Sequence, residues 1–305
     1  MSTRGAEAIG LANIAMDGTV LDTWYPEPRL CEAGTSGTHR LGAADLPQSL
    51  YRLVGIDEQR GVEYVAVHTT IADLDAEPID VHDVYLRLHL LSHRMVKPLE
   101  VNLDSAMDHL NTVAWTNKGP CKPDNFEYLR THLRSRGLIH VYGISKIPRM
   151  VDYVVPADVS ISEADRVALG AYLAPGTTVT REGYVSFNAG TLGPCRLEGR
   201  LSSGAVVGTG CDIGPSATIT SPTDEQGNRP PTIIGKNCHM GVGSGVVGVS
   251  LGDDCLLGPA IVLEANTQLV DPADGRTLTG AEISGRSHMV VAMEAGYSVP
   301  TVRQR

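Results

Sequence analysis

The sequence predicts a mainly β protein whose C-terminal half is a parallel β-helix of hexapeptide repeats, preceded by a small α/β domain and closed by a short cap. Three observations carry this. An aliphatic residue or Thr recurs at every sixth position from Ile161 through Val167, Leu173, Val179, Val185, Thr191 and Leu197, and again from Leu201 through Val207, Ile213 and Ile219. Glycine often follows the repeat position, as in Ile234-Gly235, Met240-Gly241, Leu251-Gly252 and Leu257-Gly258. The composition has 33 glycines and only 5% aromatics, which suits thin coils with branched aliphatic cores and tight corners. A period of six fits neither the 3.6 period of a helix nor strand alternation. In a hexapeptide solenoid three hexads close one triangular coil, so residues roughly 18 apart stack on neighbouring coils. The interior is then filled by side chains, and any chemistry sits on the outer faces.

Residues 1–155 read as the α/β domain. The segment 62–71, VEYVAVHTTI, alternates as a strand, and 138–142, LIHVY, reads as another. Apolar residues at helical spacing predict helices over 80–95, 104–115 and 124–136. The proline-bearing run RMVDYVVPADVSI leads into the hexads, so the solenoid is placed at 156–270. It is interrupted at 221–231, SPTDEQGNRPP, where prolines, glycine and charges predict a loop extruded from a corner. Residues 271–305 are expected to form a closing strand and a tail that cap the open end.

Charge and cysteine usage bound the function. A formal net charge of −10 argues against a sequence-independent nucleic-acid partner. No apolar run approaches a membrane span and the N-terminus carries no targeting pattern, so a cytoplasmic location with no membrane partner is expected. The six cysteines are dispersed without a C-x-x-C pair and read as reduced thiols. His89 and His93 are four apart on a predicted helix, a spacing that can bind zinc, but no third ligand is suggested and packing is the simpler role. A γ-type carbonic anhydrase would need several histidines on its coils, where His239 stands alone. No phosphate-binding loop motif is present.

Within the solenoid, Asp165 and Glu182 are 17 apart and Glu198 lies 16 further on, which places three acids along one side of the prism. Such a file is unfavourable unless it is solvated or shares a cation. Spacing alone favours a wet corner column. Around a threefold axis, the same acids in triplicate would suit Mg²⁺ or Ca²⁺.

The stretch 182–200, EGYVSFNAGTLGPCRLEGR, with WTNKGPC at 115–121, RLHLLSHR at 87–94 and RMVDYVVP at 149–156, resembles the actinobacterial type of tetrahydrodipicolinate N-succinyltransferase. The similarity runs from about residue 11 to 270. It implies a homotrimer of left-handed parallel β-helices that moves a succinyl group from succinyl-CoA to an amino-dicarboxylate acceptor, in diaminopimelate and lysine biosynthesis. It places Glu198 at the catalytic glutamate, as general base or as the carboxylate of an acyl-anhydride. It places Arg200 at the ligand-gripping arginine, expected on the same strand face as Glu198. Asp165 and Glu182 fall on the positions that bind a structural Mg²⁺ at the trimer axis.

The chain departs from the family pattern where ligands bind. Pro215 and Thr218 replace a usual Gly and Ser, Val242 stands within a rewritten Gly-Ala-Asn-Ser-Gly run, and Gly258 and Pro259 replace a glutamate and an alanine. A lysine near Gly280 is missing, and SHMVVAMEAG replaces a Leu-Phe-Arg-Arg segment whose basic side chains hold CoA phosphates in the family. The donor is therefore expected to be succinyl-CoA or another acyl-CoA. A diverged acyltransferase of a specialised metabolite, or a non-catalytic binding solenoid, are the alternatives.

Overall fold

The computed structural model describes residues 4–32, 34–42, 44–223 and 229–305. It divides into two compact units, one of Met1–Val96 and Glu100–Val154, the other of Lys97–Leu99 and Val155–Arg305.

The first unit is built on an antiparallel sheet. Its long strands Gly5–Ala15 and Val62–Ile71 pair from Ala6 opposite Ile71 to Ala15 opposite Val62, flanked by Val20–Trp24 and Gly37–Arg40. The helix Val81–Ser92 starts at Asp80, whose side chain accepts from the Asp83 amide at 2.8 Å and so satisfies one orphan donor of the first turn. Arg87 is fully buried in this helix. It pairs with Asp83 at 2.7 Å and donates to the carbonyls of Leu74, Ala76 and Asn102, the full pairing that a buried cation needs.

The predicted helix at 104–115 is corrected by the structure. Only Ala106–His109 makes a turn of helix, and Val113–Thr116 is the central strand of a three-stranded sheet with Gly119–Cys121 and Val141–Ser145. Helical spacing is overruled because Val113 and Trp115 pack with Ala15, Leu21 and Val62, a face that an extended segment can present. The helix expected at 124–136 is Phe126–Leu133 with a 3₁₀ turn, Arg134–Arg136. The strand expected at 138–142 begins later, at Val141, because Leu138 and His140 are held by the Asn117 side chain instead of a ladder.

In the second unit the chain visits three parallel sheets in rotation. The first holds Thr178–Val179, Arg196–Leu197, Asp212–Ile213, His239–Met240 and Leu256–Leu257. The second holds Tyr184–Val185, Arg200–Leu201, Thr218–Thr220, Gly245–Val247 and Val262–Leu263, and the third Tyr172–Leu173, Gly190–Thr191, Ala205–Val207 and Thr232–Ile234. The hexad residues Val179, Leu197, Ile213, Met240 and Leu257 are buried, and their strand neighbours face outward.

Circuit length varies. Thr178 pairs with Arg196, 18 residues on, but Arg196 pairs with Asp212, 16 on, Asp212 with His239, 27 on, and His239 with Leu256, 17 on. The long circuit leaves the second sheet at Thr220 and rejoins the third at Thr232, with Val206 opposite Ile233. This is the segment expected to be extruded; residues 224–228 lie outside the described residues.

The end is richer than a closing strand and a tail. Gln268–Val270 pairs with Thr277–Thr279, a capping box at Thr279 and Glu282 opens the short helix Gly280–Ile283, and Met289–Ala292 extends the first sheet beside Leu256–Leu257. Thr301–Gln304 then pairs with Met289–Ala292. Among the described residues, no helix is long and apolar enough to cross a membrane.

Candidate active site

The 16-residue circuit owes its length to one corner. Between the first and second sheets, the corners 180–183, 214–217, 241–244 and 258–261 each hold four residues. The corner between Arg196–Leu197 and Arg200–Leu201 holds two, Glu198 and Gly199. Register places Thr180 and Gly214 beside Glu198, and Gly183 and Ala217 beside Gly199. Residues 181–182 on one side and 215–216 on the other therefore have no counterpart and overhang a recess at Glu198. Gly199 cannot carry a side chain here, because a Cβ would collide with the Ala217 carbonyl and the Ile213 side chain.

The residues singled out from sequence fall along this one edge. Asp165 and Glu182 lie on adjacent corners, and Pro215, Val242 and Pro259 occupy equivalent places on three successive corners, with Gly258 beside Pro259. Arg200 and Thr218 are paired neighbours on the second sheet, next to the edge. The two-residue spacing does not put Glu198 and Arg200 on one strand. Glu198 is the corner residue, and Arg200 opens the next face. Arg200 is exposed with its guanidinium 4.5 Å from the centre of the Tyr184 ring, and among the described residues no carboxylate pairs with it. Asp165 and Glu182 are likewise exposed and without an ion pair among the described residues, whereas the neighbouring Glu163 is paired with Arg181 at 3.0 Å.

Glu198 is only 18% exposed at its side chain and pairs with Arg196, the outward residue of the preceding strand. The same Arg196 Nη1 lies 3.7 Å from Asp212 Oδ1, and Asp212 Oδ2 lies 3.3 Å from His239 Nδ1. Sequence reasoning missed Arg196 and Asp212 and took His239 as isolated. A signal existed, since these residues are outward positions of one sheet, but it appears only when circuits of 16 and 27 residues replace a fixed 18.

Other candidates resolve into structure. His89 is fully buried, donating from Nδ1 to the Tyr85 carbonyl at 2.7 Å and accepting the Tyr25 amide at Nε2, so both ring nitrogens are used. Four of the dispersed cysteines, Cys195, Cys211, Cys238 and Cys255, occupy one place on successive coils as buried free thiols bonded to corner carbonyls. In the first unit a cavity of about 570 Å³ is lined by Trp24, Leu50, Leu53, Glu7 and His68, none of which was a predicted site residue.

Two family models match the chain, the middle segment of tetrahydrodipicolinate N-succinyltransferase over 110–149 and the hexapeptide repeat of succinyl-transferase over 231–265. A Salinispora tropica 2,3,4,5-tetrahydropyridine-2,6-dicarboxylate N-succinyltransferase is 44% identical over 289 residues, covering 93% of this chain and 88% of the relative. The chain belongs to the tetrahydropyridine-dicarboxylate N-succinyltransferase family. A Pseudomonas aeruginosa member of the same name is 43% identical over 204 residues, which span 67% of this chain and 58% of that protein. A Campylobacter jejuni structure described as a 2,3,4,5-tetrahydropyridine-2-carboxylate N-succinyltransferase superposes over 100% of this chain and 93% of its own, with a TM-score of 0.84 at 24% identity. That likeness speaks for the fold, and with the hexapeptide match it fits a β-helix acyltransferase. Family members are by name N-succinyltransferases, a class of acyltransferase.

Proposed function

We propose that this chain transfers the succinyl group of succinyl-CoA to the amino nitrogen of ring-opened tetrahydrodipicolinate, with Glu198 as the catalytic carboxylate. The observation that carries the reading is the two-residue corner, which sets a half-buried carboxylate in a recess one residue from a face bearing the Arg200 guanidinium, stacked on Tyr184 and without a carboxylate partner among the described residues. In the proposed step the amine nitrogen attacks the thioester carbonyl, the new C–N bond forms as the C–S bond breaks, the amine proton passes to Glu198, and CoA leaves as a thiolate that takes up a proton. A carboxylate screened from water can take such a proton, and a planar guanidinium can grip an acceptor carboxylate bidentately.

The edge of one chain is convex and gives one wall of a cleft, so the proposed site is completed by a second copy within a trimer of left-handed β-helices. Asp165 and Glu182 would hold Mg²⁺ on the trimer axis. Two carboxylates from one chain fall short of an octahedral oxygen set, which three copies and water would complete, and their exposed oxygens, without an ion pair among the described residues, fit that role. The ion would hold the copies together by cancelling the repulsion of clustered carboxylates.

A second reading keeps the chemistry and changes the donor or acceptor. It is favoured by the file of Pro215, Val242 and Pro259, which presents apolar groups beside the recess, with Val242 59% exposed. Thiol release from succinyl-, acetyl- and other acyl-CoAs, followed with a chromogenic disulfide across a panel of amino acids, tests both. Turnover with succinyl-CoA and tetrahydrodipicolinate is the expected result. Turnover confined to another pair selects the second reading, and none at all removes the enzymatic reading.

A further inference from the structure

We propose that Arg196, shared between Glu198 and Asp212, is the positioning residue that aims the Glu198 carboxylate, with His239 standing on the far side of Asp212. The inference rests on the assignment of Glu198 made above and adds three residues that lie outside the EGR run.

Parallel pairing fixes the arrangement. Arg196, Asp212 and His239 are the outward residues of three adjacent strands in register, so their backbones stand about 4.8 Å apart per step. Glu198 sits two residues after Arg196, where the short corner begins, and an unbranched side chain at a corner has several rotamers to choose from. The Arg196 guanidinium selects one of them. It cannot give its whole charge to Glu198, because Asp212 Oδ1 faces the same nitrogen at 3.7 Å. That oxygen is shielded from solvent and has no hydrogen-bond partner among the described residues, so Arg196 is the group that answers it. His239 approaches the other oxygen of Asp212 at 3.3 Å.

A cation beside a carboxylate favours its ionised form, and a second carboxylate on that cation weakens the effect. Removing Arg196 should therefore raise the pH at which Glu198 takes a proton. Removing the charge of Asp212 should lower it. Other charged groups around this set are Arg200, which opens the face after Glu198, and Arg181, paired with Glu163, and Glu182, both on the overhanging corner, while Leu256 on the far side of His239 is neutral.

The test is the pH profile of kcat for succinylation of tetrahydrodipicolinate by succinyl-CoA. Arg196→Gln is expected to move the acidic limb up by about half a unit or more, and to lower kcat at least ~10-fold above the limb with little change in KM. Arg196→Lys should return the limb toward that of the wild type, and Asp212→Asn should move it down. The carbon-13 carboxyl resonance of Glu198, assigned by its absence in Glu198→Gln, should show the same two opposite shifts with no substrate present. A residue with only a structural role would not produce shifts of opposite sign. If both variants keep the wild-type limb and carboxyl titration while Glu198→Gln is inactive, the role given to Arg196 is wrong and that of Glu198 stands. Full turnover in Glu198→Gln would remove both.

Discussion

Glu198 and Arg200 divide the proposed work, and their substitutions should separate it. Glu198→Gln keeps shape but removes the group that takes the proton, so turnover should fall by at least ~10²-fold with the assembly intact. Arg200→Lys keeps charge but loses the planar fork, so weaker acceptor binding, read as a raised KM, is expected ahead of any loss in kcat. Wild-type rates in Glu198→Gln would overturn the catalytic assignment. A second residue-scale prediction concerns His89, whose burial pushes its imidazole from 6.5 down to about 3. Such a group contributes stability that is present above pH 6.5 and is lost as pH falls toward 3, because the unfolded chain binds the proton first. Between pH 7 and 4.5 this site should cost on the order of 2 kcal/mol. His89→Gln should lose less stability over that interval, and calorimetry at the two pH values checks it. The proposed site residues come from the EGR run and the acid spacing. Their contacts were not. Arg196 stood in the sequence as one of several basic residues, and only the fold shows which carboxylates it meets.

At the scale of elements, the proposed site rests on the two-residue corner. Inserting two small residues between Glu198 and Gly199 would restore an 18-residue circuit and fill the recess. The variant should fold and assemble like the wild type, judged by circular dichroism and light scattering, and lose turnover. Retained turnover would show that the recess is not where the chemistry occurs. The sequence held this information as a step of four, from Leu197 to Leu201, in a run otherwise spaced by six. Hexads were legible because each inward position must be apolar or small and each coil repeats that demand. The segment 104–115 was misread for the converse reason. Four or five apolar residues in a short window satisfy a helix and a strand alike, and the decision fell to the burial of Val113 and Trp115 against residues distant in sequence.

For the whole molecule, light scattering should give three times the 32.4 kDa of one chain. Chelation of divalent cations should lower the melting temperature of that trimer, and Glu182→Gln should abolish the effect. A wild type insensitive to chelation would return Asp165 and Glu182 to the role of solvated corner acids. Neither stoichiometry nor metal follows from a single chain's hexads, since both depend on surfaces that the repeat leaves free to vary. The 27-residue circuit has a different consequence. Its surplus emerges between the second and third sheets, an edge that carries none of the proposed site residues, and pairing resumes in register at Ile233. Ladder pairing, not chain length, thus keeps the count from coil to coil. The molecule accordingly offers a natural port for grafting: an epitope, a fluorophore tag or a small folded domain spliced into this segment should be displayed in three copies per assembly without disturbing either the stack or the edge at Glu198.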